Sequence, residues 1–192
     1  MFSIPANGAS TVDCLADAVE PAAPVIPNFC GTNDITGVLE TVSEDPACEG
    51  SKTYTFRLTD CAGNTGTWDY VYTIDIPMFS IPANGASTVD CLADAVEPAA
   101  PVIPNFCGTN DITGVLETVS EDPACEGSKT YTFRLTDCAG NTGTWDYVYT
   151  IDIPMFSIPA NGASTVDCLA DAVEPAAPVI PNFCGTNDIT GV

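Results

Sequence analysis

The chain has 192 residues, among them 26 Asp or Glu, 4 Lys or Arg and no His, which gives a net charge of −22. This balance argues against nucleic acid and anionic membranes as partners, because phosphate groups are bound by clustered Lys and Arg. Without histidine the chain lacks the commonest general base and metal ligand, so we expect no enzymatic activity. No apolar stretch reaches the ~20 residues of a membrane helix, and a hydrophobic content of 45% indicates a folded protein.

An internal repeat without a single change organises the sequence. Residues 1–77 recur as residues 78–154, and residues 155–192 repeat the first half of the unit once more. We therefore predict two complete domains and the N-terminal half of a third, with these boundaries. Because Met1 corresponds to the internal Met78, we expect the sequence to be a window on a longer array, in which any site is present many times.

The first half of each repeat contains short extended segments bounded by prolines. In the first repeat, Ser10–Cys14 and Val25–Phe29 are predicted strands, the second because prolines flank it. Leu15–Val19 is long enough for one helical turn, and the two prolines that follow stop anything longer. Ile35–Val42 is predicted to be a further strand.

The second half of the repeat contains the clearest alternation of apolar and polar residues. Thr53–Thr59 is a predicted strand with Tyr54, Phe56 and Leu58 on one face. Asp60–Gly66 is rich in Gly and Asn and is predicted to be a turn. The next predicted strand, Trp68–Ile76, has its aromatic residues and isoleucines on one face, and we expect Trp68, Tyr70 and Tyr72 in the core. Several short strands with regular turns predict an all-β fold of tandem immunoglobulin-like or fibronectin-like β-sandwich repeats.

Each complete repeat contains four cysteines and no Cys-x-x-Cys pair, which disfavours zinc sites and thioredoxin-like redox centres. A unit as short as this repeat has a marginal core and commonly needs covalent support. We therefore predict two disulfides per repeat, formed in an oxidising, extracellular compartment. The cysteines of the two complete repeats are Cys14, Cys30, Cys48, Cys61, Cys91, Cys107, Cys125 and Cys138, and the half repeat adds Cys168 and Cys184.

The predicted strand directions suggest how these cysteines pair. Cys14 and Cys48 fall at one end of the sandwich, whereas Cys30 and Cys61 fall at the other end. This predicts the pairs Cys14–Cys48, Cys30–Cys61, Cys91–Cys125 and Cys107–Cys138, each closing about 30 residues. The two other connectivities within a repeat stay open, because spacing alone does not exclude them.

Several segments of the repeat resemble a known family. They are Pro5–Cys14, Cys30–Thr32, Asp45–Gly50, Asp60–Asn64 and Trp68–Ile74. Together they closely resemble the four-cysteine variety of the HYR-like (hyalin-repeat-like) domain, over essentially the whole repeat. Such domains occur in long arrays on giant surface adhesins of type IX-secreting, often gliding, bacteria. The resemblance implies a secreted, immunoglobulin-like stalk or adhesive filament at the cell surface, without catalytic residues.

Calcium is the one cofactor that the residues suggest. Asn33, Asp34, Asp60 and Asn64 fall near loops that the predicted topology places at one end of the sandwich, and Ca²⁺ prefers oxygen ligands of this kind. No EF-hand or nonapeptide calcium pattern is present, and Asx residues favour turns for their own reasons. We therefore expect no resident cofactor, with Ca²⁺ at these four residues as the alternative.

The predicted function is the structural shaft of an extracellular bacterial adhesin or surface filament. The expected partners are neighbouring repeats in a linear array, together with surface glycans or host surfaces. Mutual repulsion of acidic faces would keep such an array extended. The junction Ile74–Pro82 contains two prolines and no Gly/Ser linker, which indicates a stiff connection.

Two alternative functions stay open at this point. Residues 155–192 hold at most two or three strands and cannot bury a core by themselves. If another chain completed this half repeat, the protein would be a fibre subunit that polymerises by strand complementation. The second alternative is a surface module that binds glycans or calcium.

Overall fold

The computed structural model describes residues 3–28, 31, 33–108, 110–185 and 188–190, and it contains β-strands and short 3₁₀ turns. The first repeat contains β1 (Gly8–Val12), β2 (Val25–Ile26), β3 (Ile35–Thr36), β4 (Val38–Val42), β5 (Gly50–Thr59) and β6 (Thr65–Ile74). The second repeat contains β7 (Gly85–Val89), β8 (Val102–Ile103), β9 (Ile112–Thr113), β10 (Val115–Val119), β11 (Gly127–Thr136) and β12 (Thr142–Ile151). The half repeat contains β13 (Val179–Ile180) and β14 (Ile189–Thr190), and the 3₁₀ turns are Leu15–Asp17, Leu92–Asp94 and Leu169–Asp171. None of the helical segments among these described residues is long and apolar enough to cross a membrane.

The larger sheet of each complete repeat has four strands. In the first repeat the order is β1-β6-β5-β4, and the second repeat reproduces it as β7-β12-β11-β10. β5 and β6 form an antiparallel hairpin, with Gly50 opposite Ile74 and Thr59 opposite Thr65. β1 lies parallel to β6 at one edge, and β4 lies antiparallel to β5 at the other. The predicted terminal hairpin is confirmed.

The smaller layer is the antiparallel pair β2–β3, which closes the core over the larger sheet. Ile26 and Ile35 from this layer belong to the same buried cluster as the inward-facing residues of β5 and β6. On β5, Tyr54, Phe56 and Leu58 are 6%, 1% and 0% exposed, as their alternation predicts. The fold is therefore all-β, with tandem β-sandwich repeats.

Two buried aromatic side chains of β5 and β6, Tyr54 and Trp68, have hydrogen-bond partners for their polar atoms. The Tyr54 hydroxyl donates to the Ala18 carbonyl at 2.7 Å, and Trp68 Nε1–H donates to the Ala6 carbonyl at 2.8 Å. These hydrogen bonds allow large rings to lie inside without an unsatisfied donor. Trp68 and Tyr72 are buried and Tyr70 is half-buried between them, so the prediction that this aromatic stripe forms core is confirmed.

Every predicted strand has different bounds in the structure, and two of these differences lie in the smaller layer and its connection to the larger sheet. The predicted strand Ile35–Val42 is divided at Gly37 into β3, which pairs with β2, and β4, which pairs with β5. The Gly37 N–H donates to the Pro24 carbonyl at 2.8 Å, and a Cβ at this position would lie 3.2 Å from Phe56 Cβ. Glycine thus lets the chain pass between the two layers at close range. The predicted strand Val25–Phe29 ends at Ile26, and Phe29 lies outside the described residues.

The third copy of the β1 sequence shows that this strand depends on a partner strand. Gly-Ala-Ser-Thr-Val pairs with the last strand of its own repeat as β1 and as β7. The same five residues at 162–166 form no strand and are exposed. The half repeat contains no copy of β6 for this segment to pair with. The five residues therefore form a strand only where that partner strand is present.

The chain divides into two compact units whose limits differ from those of the repeats. One unit contains Met1–Ile81, Val102–Thr113 and Leu135–Gly143, and the other contains Pro82–Pro101, Gly114–Arg134 and Thr144–Val192. Two segments of the second repeat therefore belong to the same unit as the first repeat. The predicted domain boundaries follow the repeated sequence and stay a prediction.

Candidate functional site

The strands of the first repeat place its cysteines at two opposite ends. β1 runs parallel to β6, so Cys14, which follows β1, lies past the Ile74 end of the sheet. Gly50 pairs with Ile74, so Cys48, which precedes β5, lies at the same end. Cys61 lies in the turn between β5 and β6, at the opposite end. The predicted positions of these three cysteines are confirmed.

The disulfides between described cysteines join successive repeats. Their Cα–Cα distances of 5.2, 5.8 and 5.3 Å lie in the usual range for a disulfide. Among the residues that the structure describes, the bonds are Cys14–Cys107, Cys48–Cys138 and Cys91–Cys184. The first two lie within the unit that contains the first repeat, and the third lies within the other unit.

The predicted pairs Cys14–Cys48, Cys91–Cys125 and Cys107–Cys138 are therefore wrong. The prediction placed Cys14, Cys48 and Cys61 at the correct ends of the sandwich, but it paired cysteines within one repeat. In the structure, the segments with Cys107 and Cys138 belong to the unit of the first repeat. The predicted pair Cys30–Cys61 includes Cys30, which lies outside the described residues, and it stays a prediction. Within the described residues, Cys125 and Cys168 are exposed thiols outside any disulfide.

The pairing of the first and second cysteines follows the same rule in successive repeats. Cys14–Cys107 and Cys91–Cys184 have the same sequence separation of 93, and the second pair is the first pair shifted by one whole repeat. The Cys107 sulfur lies 3.0 Å from the Asp13 carbonyl oxygen, and the Cys184 sulfur has the same distance to the Asp90 carbonyl. The first cysteine of a repeat is thus joined to the second cysteine of the following repeat.

The turn that contains the fourth cysteine is held by an aspartate. Asp60 Oδ1 accepts hydrogen bonds from the backbone N–H of Ala62 at 2.9 Å and of Asn64 at 2.8 Å, and Oδ2 accepts from Asn64 Nδ2 at 2.8 Å. Gly63 has φ +82°, a left-handed conformation that suits glycine. In the second repeat, Asp137 accepts from the same two nitrogens of Asn141.

In the second repeat this turn contacts the end of the first repeat. Asn141 Nδ2 donates to the Ile76 carbonyl at 3.4 Å, Ala139 packs against the first core cluster, and Cys138 is bonded to Cys48. Sequence reasoning missed the contact role of Ala139 and Asn141. The available signal was the Asp-Cys-Ala-Gly-Asn turn itself, which offers a cysteine among small residues at the end opposite Cys48.

A family model described as "HYR-like domain with 4 cysteines" matches residues 2–74 and residues 79–151. The chain belongs to this HYR-like family. A comparison with curated proteins gives no match. Tandem HYR-like repeats joined by disulfides indicate an extracellular structural or adhesion module, because such bonds persist in oxidising compartments.

The calcium candidates of the HYR-like repeat divide into two groups. Asp60 and Asn64 lie together, but both Asp60 carboxylate oxygens accept N–H donors of their own turn. Asn33 and Asp34 are exposed just before β3, and no hydrogen bond among the described residues joins them to this turn. The described part of the chain contains no group of three or more His, Cys, Asp or Glu suited to a metal ion. Calcium at these four residues stays a prediction.

Every basic side chain of the HYR-like repeats is paired with a carboxylate. The pairs are Lys52–Asp45 and Lys129–Asp122, both at 2.8 Å, Arg57–Glu40 and Arg134–Glu117. Since the sequence contains only 4 Lys or Arg, the remaining acidic residues have no internal counter-charge from a basic side chain. The repeats therefore present a strongly anionic surface.

Acidification should loosen the HYR-like turn at Asp60. Hydrogen bonds from the Asn64 side chain and from backbone N–H groups lower the pKa of Asp60 below its ordinary value of 3.8. A folded pKa below the unfolded one stabilises the turn above the unfolded pKa, and this contribution is lost as the pH falls through the folded pKa. We expect the amide resonance of Asn64 in an NMR titration to move with a midpoint below 3.8. A midpoint at or above that value would contradict the proposed role of the carboxylate.

Proposed function

We propose that this chain is the tension-bearing shaft of an adhesin or filament at the bacterial cell surface, without catalytic activity. The observation that carries the proposal is the set of disulfides between successive repeats. The family resemblance favours surface adhesins exported by type IX secretion. The partners are then neighbouring repeats along the array, whose reach presents an adhesive part of the protein to glycans or host surfaces.

The disulfides give the chain a short covalent route from one end to the other. From Cys14 the route passes through the first bond to Cys107. It then runs back along the backbone to Cys91 and passes through the next bond to Cys184. A force applied to the two ends is carried along this route even when the sandwiches unfold. The remaining residues form closed loops that the force does not stretch out.

The length of this route limits how far the protein can extend. The route consists of the segments 1–14, 91–107 and 184–192 and the two bonds that connect them. At ~3.5 Å per residue, with the two cross-links added, the oxidised chain reaches about 140 Å. Without disulfides, the whole chain extends to about 670 Å. The cross-links thus remove most of the extensibility of the chain.

The anionic surface supports the same function. All four Lys and Arg side chains are engaged in ion pairs, which leaves no basic cluster for phosphate groups. Like charges on successive repeats repel each other and oppose collapse of an array. A shaft needs this property, whereas a catalytic domain has no use for the same acidic surface in every repeat.

The test is single-molecule stretching of the full chain held at its two ends. We expect a maximal extension of about 140 Å for the oxidised chain and of about 670 Å after reduction with a phosphine. The control is Cys125→Ser, which removes a thiol outside any disulfide and should leave the oxidised extension unchanged. If the oxidised chain extends as far as the reduced chain, the disulfides do not carry the load and the proposed shaft is wrong.

A further inference from the structure

A cavity of about 270 Å³ lies beside the exposed thiol of Cys125. Leu92, Pro123 and Ile153 supply apolar parts of its wall, and Cys184, which forms a disulfide with Cys91, also lines it. This volume is slightly below the range of about 300–1,000 Å³ that is typical of small-molecule sites. All of these residues belong to one compact unit.

The equivalent surface of the first repeat is covered. Cys125 and Ile153 correspond to Cys48 and Ile76 after a shift by one whole repeat. The segment Leu135–Gly143 covers that earlier surface through the Cys48–Cys138 bond and through the hydrogen bond from Asn141 to the Ile76 carbonyl. The first repeat therefore shows which segment occupies the position that is equivalent to the cavity beside Cys125.

The residues of the covered surface in the first repeat are more buried than the equivalent residues beside Cys125. Ile76 is 7% exposed, whereas Ile153 is only half-buried. Cys48 is half-buried, whereas Cys125 is exposed. Apolar surface left partly open beside a thiol favours an occupant that is small and apolar on its contact side.

The turn has matching internal hydrogen bonds in the two repeats, although its exposure differs between them. In the first repeat, where Ala62 and Asn64 are exposed, the aspartate accepts the same backbone and side-chain donors of the asparagine as in the docked copy of the second repeat. The corresponding Ala139 and Asn141 are half-buried in the docked copy. A turn with the same internal hydrogen bonds in both settings loses little conformational freedom on docking.

We propose that the cavity beside Cys125 is a docking site for the Asp-Cys-Ala-Gly-Asn turn of a further HYR-like repeat, and that Cys125 forms a disulfide with the cysteine of that turn. The asparagine of the turn donates to the Ile153 carbonyl, as Asn141 donates to Ile76. This site defines the direction of assembly: the third cysteine of one repeat receives the fourth cysteine of the next. The inference goes beyond the proposed function, because it holds whether or not the array bears tension.

The bond requires an oxidant of the disulfide class. Oxidised glutathione accepts the two electrons: the Cys125 thiolate attacks one of its sulfurs and releases one glutathione thiol. The thiolate of the turn then attacks the Cys125 sulfur of this mixed disulfide and releases the second glutathione thiol. In total, two protein thiols are oxidised to one disulfide and one glutathione disulfide is reduced to two thiols.

The test uses the full chain and a synthetic peptide with the sequence of residues 135–143, Leu-Thr-Asp-Cys-Ala-Gly-Asn-Thr-Gly, in an oxidised/reduced glutathione buffer. Peptide mapping by mass spectrometry without reduction then locates the attached peptide. Cys168 is the internal control, because it is an exposed thiol that does not line the cavity. We expect at least tenfold more peptide on Cys125 than on Cys168.

Two further peptides separate docking from thiol reactivity. A peptide with the same composition in scrambled order should attach to both cysteines equally, and a peptide with Ala in place of Asn should lose most of the preference for Cys125. Equal attachment of the native peptide to both cysteines would overturn the proposal. The formation of a mixed disulfide between Cys125 and glutathione, without any attachment of the peptide, would overturn it as well. Both results leave the stretching experiment unaffected, so the two proposals fail separately.

Discussion

Replacing Cys48 and Cys138 together by serine should lower the free energy of unfolding of the unit that contains the first repeat by about 4 kcal/mol. With Cys14–Cys107 intact, the shortest path between the two positions runs from Cys48 back to Cys14, across that bond, and from Cys107 on to Cys138. A cross-link that closes a loop of roughly 65 residues removes much of the conformational freedom of the unfolded chain. Urea denaturation of the oxidised protein measures the change.

The matched control for this prediction is Cys125→Ser. Cys125 has the same place in the second repeat as Cys48 in the first, but it is an exposed thiol. Its replacement should change the free energy of unfolding by less than about 0.5 kcal/mol, as for ordinary surface substitutions. Equal denaturation midpoints for the double serine variant and the unchanged protein would refute the contribution of the cross-link.

Phe56→Ala should destabilise the first sandwich by about 3–5 kcal/mol, because it opens a cavity at a site that is 1% exposed. Phe56 lies on β5, where its ring packs against Trp68 with centroids 5.8 Å apart. Phe133 has the same exposure in the second repeat, so Phe133→Ala should have a similar effect. Thermal unfolding followed by circular dichroism measures both variants.

The neighbouring Arg57 provides the control for the core variant. Its side chain is exposed on the opposite face of β5 and forms an ion pair with Glu40 at the surface. Such pairs contribute about 0–1 kcal/mol, so Arg57→Ala should change the unfolding temperature only slightly. If Phe56→Ala and Arg57→Ala had equal effects, the inward and outward faces of this strand would be wrongly assigned.

Much of a single sandwich can be predicted from one repeat, because its strands have local patterns. The alternation in β5 and β6 fixes which side chains point inward, and the Gly- and Asn-rich turn between them fixes a hairpin. The resemblance to HYR-like domains was carried by this turn and the aromatic strand after it, together with the segments around the other cysteines. The division of Ile35–Val42 at Gly37 was not predictable, because the change of layer depends on the contact with Pro24 and Phe56.

The cysteine network shows the limit of sequence reasoning more sharply. Strand direction sufficed to place Cys14 and Cys48 at one end and Cys61 at the other. It did not reveal the partners, because the cysteines of every repeat are identical and a partner in the next repeat has the same sequence context as one within the repeat. The choice depends on which segments lie together in a compact unit, and this is a property of the assembled chain.

The sequence by itself determined the all-β class, the hairpin, the inward aromatic face, the anionic character and the HYR-like family of this protein. Only the tertiary structure decided the disulfide partners and whether the Gly-Ala-Ser-Thr-Val segment forms a strand. This segment is a strand as β1 and as β7, but not at residues 162–166. The physical reason is the same in both cases. Alternation and turn preference act over a few neighbouring residues, whereas a disulfide or an edge strand forms only where a partner distant in the chain is brought within reach.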